Sequence, residues 1–421
     1  MKLQKILNRF QKLHKREIDL SLDRIKALCQ KLGNPQDKMR VISVVGTNGK
    51  FSTIAGMHSI LKEANLKCNV YTSPDIQKKN ERFVFNNQEL TDDELANLFE
   101  EVEEINGEET ATIFEMLTAC FLYKAAQYLE NINLVESGLF HRFDATNVFK
   151  NNLASVVCAC STDHTDWLPE NDRTVERIIF EKTSSLLNSN IIVAKQRDKE
   201  TMECIKKTIS KNQSNKYFFN EDFSFTNEEN GYWYYEDKFG GLKLETPNVL
   251  GQFQLENIST AIATLRTLEL GISDNHIKKG ITKIKSIARL QEIKSGKLKN
   301  LVKKNKLIVD GSHNEHGAQV LNEYLETLDC NKHIICSMMS NKDHEKFISY
   351  FKKISSLTMT EMSNQPNAIK GKDLLEKFKN IPNVYYQENI EQAIKSIPLK
   401  EGDLIIITGS LYFASEVLKL N

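Results

Sequence analysis

The chain alternates between short apolar segments rich in β-branched residues and longer segments whose apolar side chains recur every three or four positions. The run at 41–45 is the first apolar segment, and Ile54, Met57, Ile60 and Leu61 then follow at helical spacing. Such runs predict strands, and the three-to-four spacing predicts helices. Further strands are predicted in CNVYTS, INLVES, ASVVCAC and NIIVAK, and further helices at 92–105 and 114–129. This alternation predicts a doubly wound α/β fold with a mainly parallel sheet.

The pattern changes between Lys216 and Leu244, where aromatic and charged residues alternate over short distances. This pattern predicts antiparallel hairpins that form a small peripheral sheet. After helices at 255–270 and up to about residue 285, a second alternating series begins near Gln291, which predicts a Rossmann-like α/β unit. Because 421 residues exceed what one hydrophobic core usually supports, we predict two domains, 1–285 and 286–421.

Charge composition disfavours two classes of partner, and cysteine usage disfavours a zinc site and a disulfide framework. Lys and Arg total 56 and Asp and Glu total 56, so no net charge attracts nucleic acid or an anionic membrane. No segment approaches the roughly 18 apolar residues of a membrane span, and the N-terminus lacks the apolar core of a secretory signal. The eight cysteines form no CxxC pair, and we expect Cys158 and Cys160 on one face of a strand. We therefore expect a cytoplasmic protein with reduced cysteines and neither of these partners.

The segment Val41–Thr53, VISVVGTNGKFST, carries the strongest chemical signal. A strand, a turn with Gly and Lys, and hydroxyl residues that open a helix can cradle a polyphosphate with backbone N–H groups. Lys50 adds positive charge, and Ser52 or Thr53 can reach a magnesium ion. The full phosphate-loop pattern needs a glycine where this chain has Val45, so a plain strand-to-helix turn is the alternative.

Three residues at the ends of predicted strands have side chains that suit a divalent cation. Ser73 lies in YTSPD, Glu136 in LVESG and His164 in STDHTDW. Ligands of such sheets bind beyond the carboxyl ends of the strands, where a hydroxyl, a carboxylate and an imidazole can join phosphate oxygens around magnesium. Each residue alone is more simply a turn, surface or packing residue, but their joint placement favours a metal site.

Short ordered motifs extend over essentially the whole chain: GTNGK, TSPD, NERF, LVESGL, RFDATNV, TDHTDWL, FEKTS, ENISTA, ARLQ, VDGSHNEHGA and TGSLYFASEVL. In this order they resemble the Mur-ligase superfamily, most closely its folylpolyglutamate synthase and dihydrofolate synthase family. The segment IDLSLDRIKALCQKLGNPQ also looks like the region before the phosphate loop in that family. The resemblance implies an ATP-dependent amide ligase that forms an acyl phosphate on a folate carboxylate. The amine of L-glutamate then displaces phosphate, and ADP is the other product.

The resemblance also implies roles for individual residues. It implies that ATP is bound by Asn48, Gly49, Lys50, Phe51, Ser52, Asn257, Arg289 and Asp310. Magnesium, at two sites, is implied at Ser52, Ser73, Glu136, His164 and Lys182, with Lys182 carbamylated. The implied catalytic residues are Lys50, Lys182 and His313. Without the resemblance, Lys182 is interpreted as a solvated helix lysine, and Asp310 and His313 as residues that shape a turn.

The implied folate site consists of Ser21, Leu22, Asp23, Arg24, Thr112, Ile113, Phe114, Glu115, Arg142, Phe143 and Asp144. Three departures from the family pattern affect the expected sites. Phe51 replaces the glycine after the loop lysine, Phe140 and His141 replace two glycines, and Phe253 replaces a histidine. We expect a reshaped, narrower pterin pocket, which leaves open whether the chain also converts dihydropteroate to dihydrofolate.

Two other interpretations remain open. One is another Mur-type ligase that joins an amino acid to a different carboxylate, although the IDLSLDR segment and the short aromatic insertion favour the folate branch. The other is a catalytically silent nucleotide-binding homologue, which the lost glycines and histidine suggest. Retention of Ser73, Glu136, His164, Lys182 and Asp310 argues against it. We expect a monomer that binds reduced folate or dihydropteroate together with L-glutamate.

Overall fold

The computed structural model describes residues 2–13, 19–363 and 365–421. The chain forms two compact units, and the second contains two short segments from the earlier part of the chain. The first unit comprises residues 1–160, 167–248 and 255–284, and the second comprises 161–166, 249–254 and 285–421. Ile18, which begins the segment that resembles the family's N-terminal motif, lies outside the described residues.

The first unit is built on a large, mainly parallel sheet. Its strands are β1 (Arg40–Val45), β2 (Cys68–Tyr71), β3 (Phe83–Phe85), β4 (Gln88–Glu89), β5 (Ile132–Glu136), β6 (Ala154–Val157), β7 (Asn190–Val193) and β8 (Lys216–Phe218). The order across the sheet is β4-β3-β2-β5-β1-β6-β7-β8. The pairs β2 with β3 and β3 with β4 are antiparallel, and the other pairs are parallel. The central strands β1, β2, β5 and β6 are buried almost throughout, as expected for a parallel sheet covered on both faces.

Helices surround this sheet, and a small antiparallel sheet follows it. The helices are α1 (Lys2–Leu13), α2 (Asp23–Lys31), α3 (Lys50–Glu63), α4 (Asp92–Asn106), α5 (Ile113–Ala125), α6 (Val175–Thr183), α7 (Lys199–Thr208), α8 (Gln252–Thr267) and α9 (Asp274–Ile281). The small sheet contains β9 (Phe223–Asn227), β10 (Tyr232–Asp237) and β11 (Gly240–Glu245) in the order β11-β10-β9. It accounts for most of the region that the sequence predicts to be antiparallel, but the prediction is wrong for the start of that region, because β8 pairs parallel with β7 in the large sheet.

The second unit has its own α/β core. Its strands are β12 (Gln291–Glu292), β13 (Lys306–Val309), β14 (Lys332–Cys336), β15 (Ser356–Thr360), β16 (Val384–Gln387) and β17 (Leu404–Thr408). Its helices are α10 (Lys297–Val302), α11 (Glu315–Glu326), α12 (His344–Ser349), α13 (Gly371–Phe378), α14 (Ile390–Ser396) and α15 (Leu411–Leu420). The sheet order is β12-β13-β17-β14-β15-β16, with every pair parallel except β12 with β13. Strand β17 therefore lies between β13 and β14.

The strands end earlier than the apolar pattern predicts, and one expectation is wrong for that reason. Cys158 and Cys160 do not share a strand face, because β6 ends at Val157. The N–H of Cys160 donates instead to the side chain of Gln196 at 2.9 Å, and both cysteines are buried in the loop. Within the described residues, we find no helix that is both long and apolar enough to span a membrane.

Candidate active site

Two glycines shape the loop between β1 and α3. Gly46 has a φ of 143° and Gly49 a φ of 88°, a region that side chains rarely adopt. A Cβ atom at Gly46 would lie 2.8 Å from the Cβ of Cys158, and one at Gly49 would lie 2.4 Å from Oδ1 of Asn257. Both positions therefore require glycine, and Asn257 lies directly against the loop.

The loop presents the N-terminus of α3 for anion binding. Gly49 is the N-cap residue and has no side chain to cap the helix. The N–H groups of Lys50, Phe51 and Ser52 occupy the first turn, where an α-helix supplies no backbone acceptor and its dipole is positive. The N–H groups of Thr47 and Asn48 donate to the carbonyl of Ala159 at 2.8 and 3.1 Å, which fixes the loop beside the end of β6.

Phe51 stands where the family pattern has glycine, yet the structure shows no unusual backbone there. It is the second residue of α3, is half-buried, and is not among the residues with positive φ. A side chain is therefore compatible with the backbone that directs the first-turn N–H groups. Nothing in the structure explains why this side chain is aromatic.

Lys50, Glu136 and Ser73 converge beside this helix terminus. Lys50 Nζ lies 3.8 Å from Glu136 Oε1 and donates to the carbonyls of Gly46 and Thr47 at 3.1 and 3.3 Å. Glu136, the last residue of β5, is buried, and its Oε2 accepts the N–H of Ser73 at 3.1 Å. The structure therefore places Ser73 and Glu136 together, as the strand-end argument predicts.

Lys182 is buried, and a solvated helix lysine is the wrong interpretation of it. It lies near the end of α6 and is 2% exposed. Its Nζ donates to the carbonyl of Leu139 at 2.9 Å and lies 5.4 Å from the ring centroid of Phe140. A carbonyl oxygen and a ring face both favour a cation. Carbamylation would remove that charge and leave Nζ one N–H, which can still donate to the carbonyl of Leu139.

Phe140 and His141, the residues in place of two family glycines, are buried within the first unit. Phe140 packs with Leu139, Leu168 and Ile178. His141 Nδ1 lies 3.0 Å from Ser137 Oγ. Burial, with a smaller contribution from the charge of Lys182, lowers the pKa of His141 to about 4, so this imidazole is neutral at pH 7.

The first two predicted folate segments are joined by an ion pair. Arg24 Nε donates to Glu115 Oε2 at 3.1 Å, and the same guanidinium pairs with Asp19 at 3.2 Å. Thr112 is the N-cap of α5, and the Glu115 carboxylate accepts the N–H of Thr112 at 2.6 Å. This arrangement holds Ser21, Leu22, Asp23 and Arg24, at the start of α2, near the start of α5, where Ile113 and Phe114 lie.

The third folate segment approaches the second at Gly138. A Cβ atom there would lie 2.9 Å from both Asp144 Oδ2 and the ring of Phe114. Asp144 Oδ2 accepts the N–H groups of Gly138 and Leu139 at 3.0 and 3.3 Å. Burial raises the pKa of Asp144 despite these hydrogen bonds. Its contacts indicate that Asp144 shapes the backbone of this segment.

Arg142 of the same segment is held by a carboxylate and two exposed rings. Its guanidinium donates to both carboxylate oxygens of Glu181, at 2.8 and 2.7 Å. It also lies over the rings of Phe143 and Phe180, with 4.4 and 5.2 Å to the centroids. The two rings are 37% and 39% exposed, so they present apolar surface beside a fixed cation.

In the second unit, Asp310 organises the turn that follows β13. Its Oδ2 accepts the N–H of Leu290 at 2.8 Å, and its Oδ1 accepts the N–H of Ser312 at 2.9 Å. Arg289, another residue predicted to bind ATP, lies between Ala288 and Leu290, whose φ values are 53° and 48°. Two left-handed residues without a glycine indicate backbone strain, which is common at functional sites.

Asp163 lies at the centre of a polar cluster in the same unit. Its carboxylate accepts the amide of Asn314 at 3.0 Å, contacts Lys342 Nζ at 2.5 Å and lies 3.4 Å from His313 Nε2. Burial alone would raise the pKa of Asp163, but His164, His313 and Lys342 outweigh it and hold the pKa well below its usual range. His164, the predicted metal ligand, has a left-handed φ of 56° and belongs to this second unit.

Asp163 and Lys342 are functional candidates that the sequence interpretation missed. Asp163 is adjacent to His164 in TDHTDW, but the motif alone does not show which of its polar residues is buried. Lys342 lies in a loop between β14 and α12, 179 residues from its carboxylate partner. A pairing over that separation leaves no local signal in the pattern of polar positions.

The residues of the first unit fit a nucleotide with a divalent cation. A glycine loop that a Cβ atom would obstruct, an uncapped helix terminus and Lys50 together suit a polyphosphate. Within residues 2–13, 19–363 and 365–421, no three His, Cys, Asp or Glu side chains form a group that could hold a metal. The oxygen ligands that suit a hard cation at this site are the hydroxyls of Ser52 and Ser73, the carboxylate of Glu136 and the phosphate oxygens of the nucleotide.

Comparison with known proteins supports this interpretation. The model of the family described as "Mur ligase, glutamate ligase domain" matches residues 296–411. A Bacillus subtilis protein named dihydrofolate synthase/folylpolyglutamate synthase is 31% identical over 428 residues, which cover 94% of this chain and 94% of that protein.

Two solved structures are similar over nearly the whole chain. E. coli FolC, in complex with DHPP and ADP, has a TM-score of 0.87 and 27% identity, with 99% of this chain and 97% of that chain covered. The Yersinia pestis bifunctional folylpolyglutamate synthase/dihydrofolate synthase, complexed with AMPPNP and a Mn ion, has a TM-score of 0.86 and 25% identity, with the same coverage. The predicted fold class is confirmed.

Proposed function

The chain belongs to the dihydrofolate synthase/folylpolyglutamate synthase family, and we propose that it joins L-glutamate to folate substrates in an ATP-dependent reaction. The observation that supports this most directly is the position of Lys50. Its amine lies 3.8 Å from the buried carboxylate of Glu136, at the uncapped N-terminus of α3. A cation, a carboxylate and the first-turn N–H groups of α3 lie together at the carboxyl ends of β1 and β5, an arrangement that suits phosphoryl transfer.

In this proposal the predicted residues divide into nucleotide and metal ligands. ATP is bound by Asn48, Gly49, Lys50, Phe51, Ser52, Asn257, Arg289 and Asp310. Magnesium is held by Ser52, Ser73, Glu136 and His164, and a second ion requires a carbamylated Lys182. When bound, the metal neutralises negative charge on the phosphate oxygens.

The chemistry follows from the weak electrophilicity of a carboxylate. A folate carboxylate oxygen attacks the γ-phosphorus of ATP, and the bond to the β,γ-bridging oxygen breaks, which gives an acyl phosphate and ADP. The neutral amine of glutamate then attacks the acyl carbon, phosphate leaves, and the amine loses a proton as the amide forms. Lys50 stabilises charge on the transferred phosphoryl group, and His313 is the proposed catalytic residue of the second unit.

The folate site in this proposal comprises the three segments that meet around Gly138 and the Arg24–Glu115 pair. The ring of Phe114 and the exposed rings of Phe143 and Phe180 supply apolar surface for a flat aromatic substrate. Arg24 and Arg142 supply fixed positive charge, because each is already paired with a buried carboxylate. The expected narrowing of the pterin pocket rests partly on Phe140 and His141, but both side chains are buried, so a substrate panel decides whether dihydropteroate is used.

The test is release of phosphate from ATP with folate and glutamate supplied separately and together. We expect release only when both are present, with a glutamylated product identified by mass spectrometry. Nucleotide binding without release under any condition would support the silent homologue instead. Release with a different carboxylate, but not with folates, would support another Mur-type ligase.

A panel of dihydropteroate and tetrahydrofolates measures the range of substrates. Efficient glutamate ligation to dihydropteroate would contradict the expected narrowing of the pterin pocket. The monomeric state that we propose is tested by light scattering with and without the substrates.

A further inference from the structure

The segment 161–166 places one buried carboxylate in the second unit. Asp163 is 8% exposed, whereas Asp166 in the same segment is exposed. Burying a carboxylate costs free energy unless charged partners and hydrogen bonds compensate. Asp163 has these partners in Asn314, His313 and Lys342, all of which come from the second unit.

These partners lie in two separate turns. Asn314 and His313 follow β13, and Lys342 follows β14. Strand β17 separates β13 from β14 in the sheet, so the Asp163 carboxylate joins turns on both sides of β17. The carboxyl ends of parallel strands are the edge where ligands bind in such sheets, which places this carboxylate among functional groups.

The His313 ring is fixed from both sides. Its Nδ1 lies 2.9 Å from the carbonyl oxygen of Gly311, and its Nε2 lies 3.4 Å from Asp163 Oδ2. A carbonyl can only accept, so Nδ1 carries the hydrogen of the first contact, and the contact with the Asp163 carboxylate is attractive when Nε2 carries a hydrogen as well. The imidazole side chain is still 23% exposed, so one part of the held ring remains accessible.

Lys342 is held in a similar way. Its Nζ contacts Asp163 Oδ1 at 2.5 Å, and its side chain is 12% exposed. The second oxygen of Asp163 accepts the amide of Asn314, whose own Oδ1 accepts the N–H of Gly317 in the first turn of α11. One carboxylate therefore fixes a lysine, an imidazole and the start of a helix.

We propose that Asp163 is a positioning residue for the ligase reaction, which holds the side chains of His313 and Lys342 at the carboxyl ends of β13 and β14. This inference rests on the proposed function, because its effect is expressed through His313. Asp163 acts through these two side chains, and replacing its charge while keeping its volume loosens both.

The experiment is a double-mutant cycle with Asp163→Asn and His313→Ala in the full-length protein. We expect Asp163→Asn to lower kcat about 10- to 100-fold, with KM for ATP changed less than about twofold. The loss of kcat in the double variant should be at least about tenfold smaller than the product of the two single losses, because both changes act on one group. If the loss in the double variant equals that product to within about twofold, the inference is overturned.

The matched control is Asp166→Asn, which changes a carboxylate three positions away in the same segment. Its Oδ2 only accepts a 3.3 Å hydrogen bond from Asn341, so we expect kcat within about twofold of wild type. A loss as large as that of Asp163→Asn would assign the effect to the segment and contradict the inference.

A second variant covers the case in which Asp163→Asn fails to fold. Asp163→Glu keeps the charge and moves the carboxylate by one methylene, and the same cycle with His313→Ala then applies. Failure of the proposed function is a separate outcome, because wild-type protein would then release no phosphate with folate and glutamate. If the wild type is active and the loss of kcat in the double variant equals the product of the two single losses, only the role of Asp163 is contradicted.

Discussion

Lys50 and Lys182 are two cations of the same unit, and the structure holds them in opposite ways. Lys50 donates its hydrogen bonds to carbonyls of its own loop and lies 3.8 Å from Glu136, so phosphate oxygens can replace those hydrogen bonds without moving another element. Lys182 contacts Leu139 and Phe140, which lie about forty residues earlier in the chain, so the tertiary fold fixes its amine. In the proposed reaction Lys50 contributes mainly to chemistry, and we expect the Lys182 region to contribute to stability as well.

The largest expected effect is that of Lys50→Ala. We expect kcat for glutamate ligation to fall roughly a thousandfold, because a group that stabilises charge on the phosphoryl group is lost. We expect the variant to stay folded, because both hydrogen bonds of the Lys50 amine are made to its own loop, although the 3.8 Å ion pair with Glu136 is also lost. Steady-state kinetics and urea unfolding measure the two quantities.

Lys62→Ala is the matched control for Lys50→Ala, because Lys62 is an exposed residue of the same helix. It should keep wild-type kcat to within about twofold. Near-normal turnover in Lys50→Ala, or equal losses in both variants, would contradict the proposed role of the loop.

His141→Asn tests the buried region around Lys182 by the pH dependence of the free energy of unfolding. The pKa of His141 is about 4 in the folded protein, against an ordinary value of 6.5. Below pH 6.5 the unfolded chain therefore takes up a proton that the folded chain does not, and stability falls until about pH 4. The total loss is roughly 3 kcal/mol, and about 2 kcal/mol of it falls between pH 7 and pH 5.

His141→Asn removes this proton uptake, so its free energy of unfolding should depend less on pH by that amount. Urea unfolding of both proteins at pH 7 and pH 5 gives the comparison. Equal pH dependence in the two proteins would show that His141 is not a buried neutral imidazole.

Gly49→Ala examines the geometry of the phosphate loop. The new Cβ would meet Asn257 at 2.4 Å and adopt a φ of 88°, so we expect affinity for ATP to fall about tenfold or more. Gly33→Ala is a close match, since Gly33 has a φ of 79° but nothing within 4 Å of its Cβ position. Gly33→Ala should lower the free energy of unfolding by about 1 kcal/mol, the cost of a side chain at a left-handed φ, and leave ATP binding unchanged.

Phe140→Leu has the smallest expected effect. It removes the ring face next to Lys182 and keeps apolar volume, so we expect the free energy of unfolding to fall by about 1–2 kcal/mol. Phe149→Leu is the control, because Phe149 is a buried ring of the main apolar core. If the two variants lose the same stability, the ring of Phe140 contributes nothing through the Lys182 cation.

Local sequence signals were sufficient for the phosphate loop and for most elements. The apolar runs that become β1, β5 and β17 and the helical spacing of α3 follow directly from backbone periodicity. These features depend on neighbours within a few residues, so a single sequence contains them.

The rest depends on contacts between distant residues. The sequence suggests that Phe140 and His141 line a pocket, but in the structure both side chains are buried inside the first unit. Asp163 is a polar residue among several in its motif, and its partners are 151 and 179 residues away. Short edge elements such as β3, β4 and α10 also lack the length that makes a periodic pattern detectable.

The grouping of segments 161–166 and 249–254 with the C-terminal unit has a consequence for recombination between homologues. A single crossover near residue 285 would leave these segments with one parent and the rest of the unit with the other. Asp163 from the first parent would then face the residues at 313, 314 and 342 from the second. Chimaeras that exchange the two short segments together with 285–421 keep that carboxylate with its own partners, and they are the exchanges that we expect to remain active.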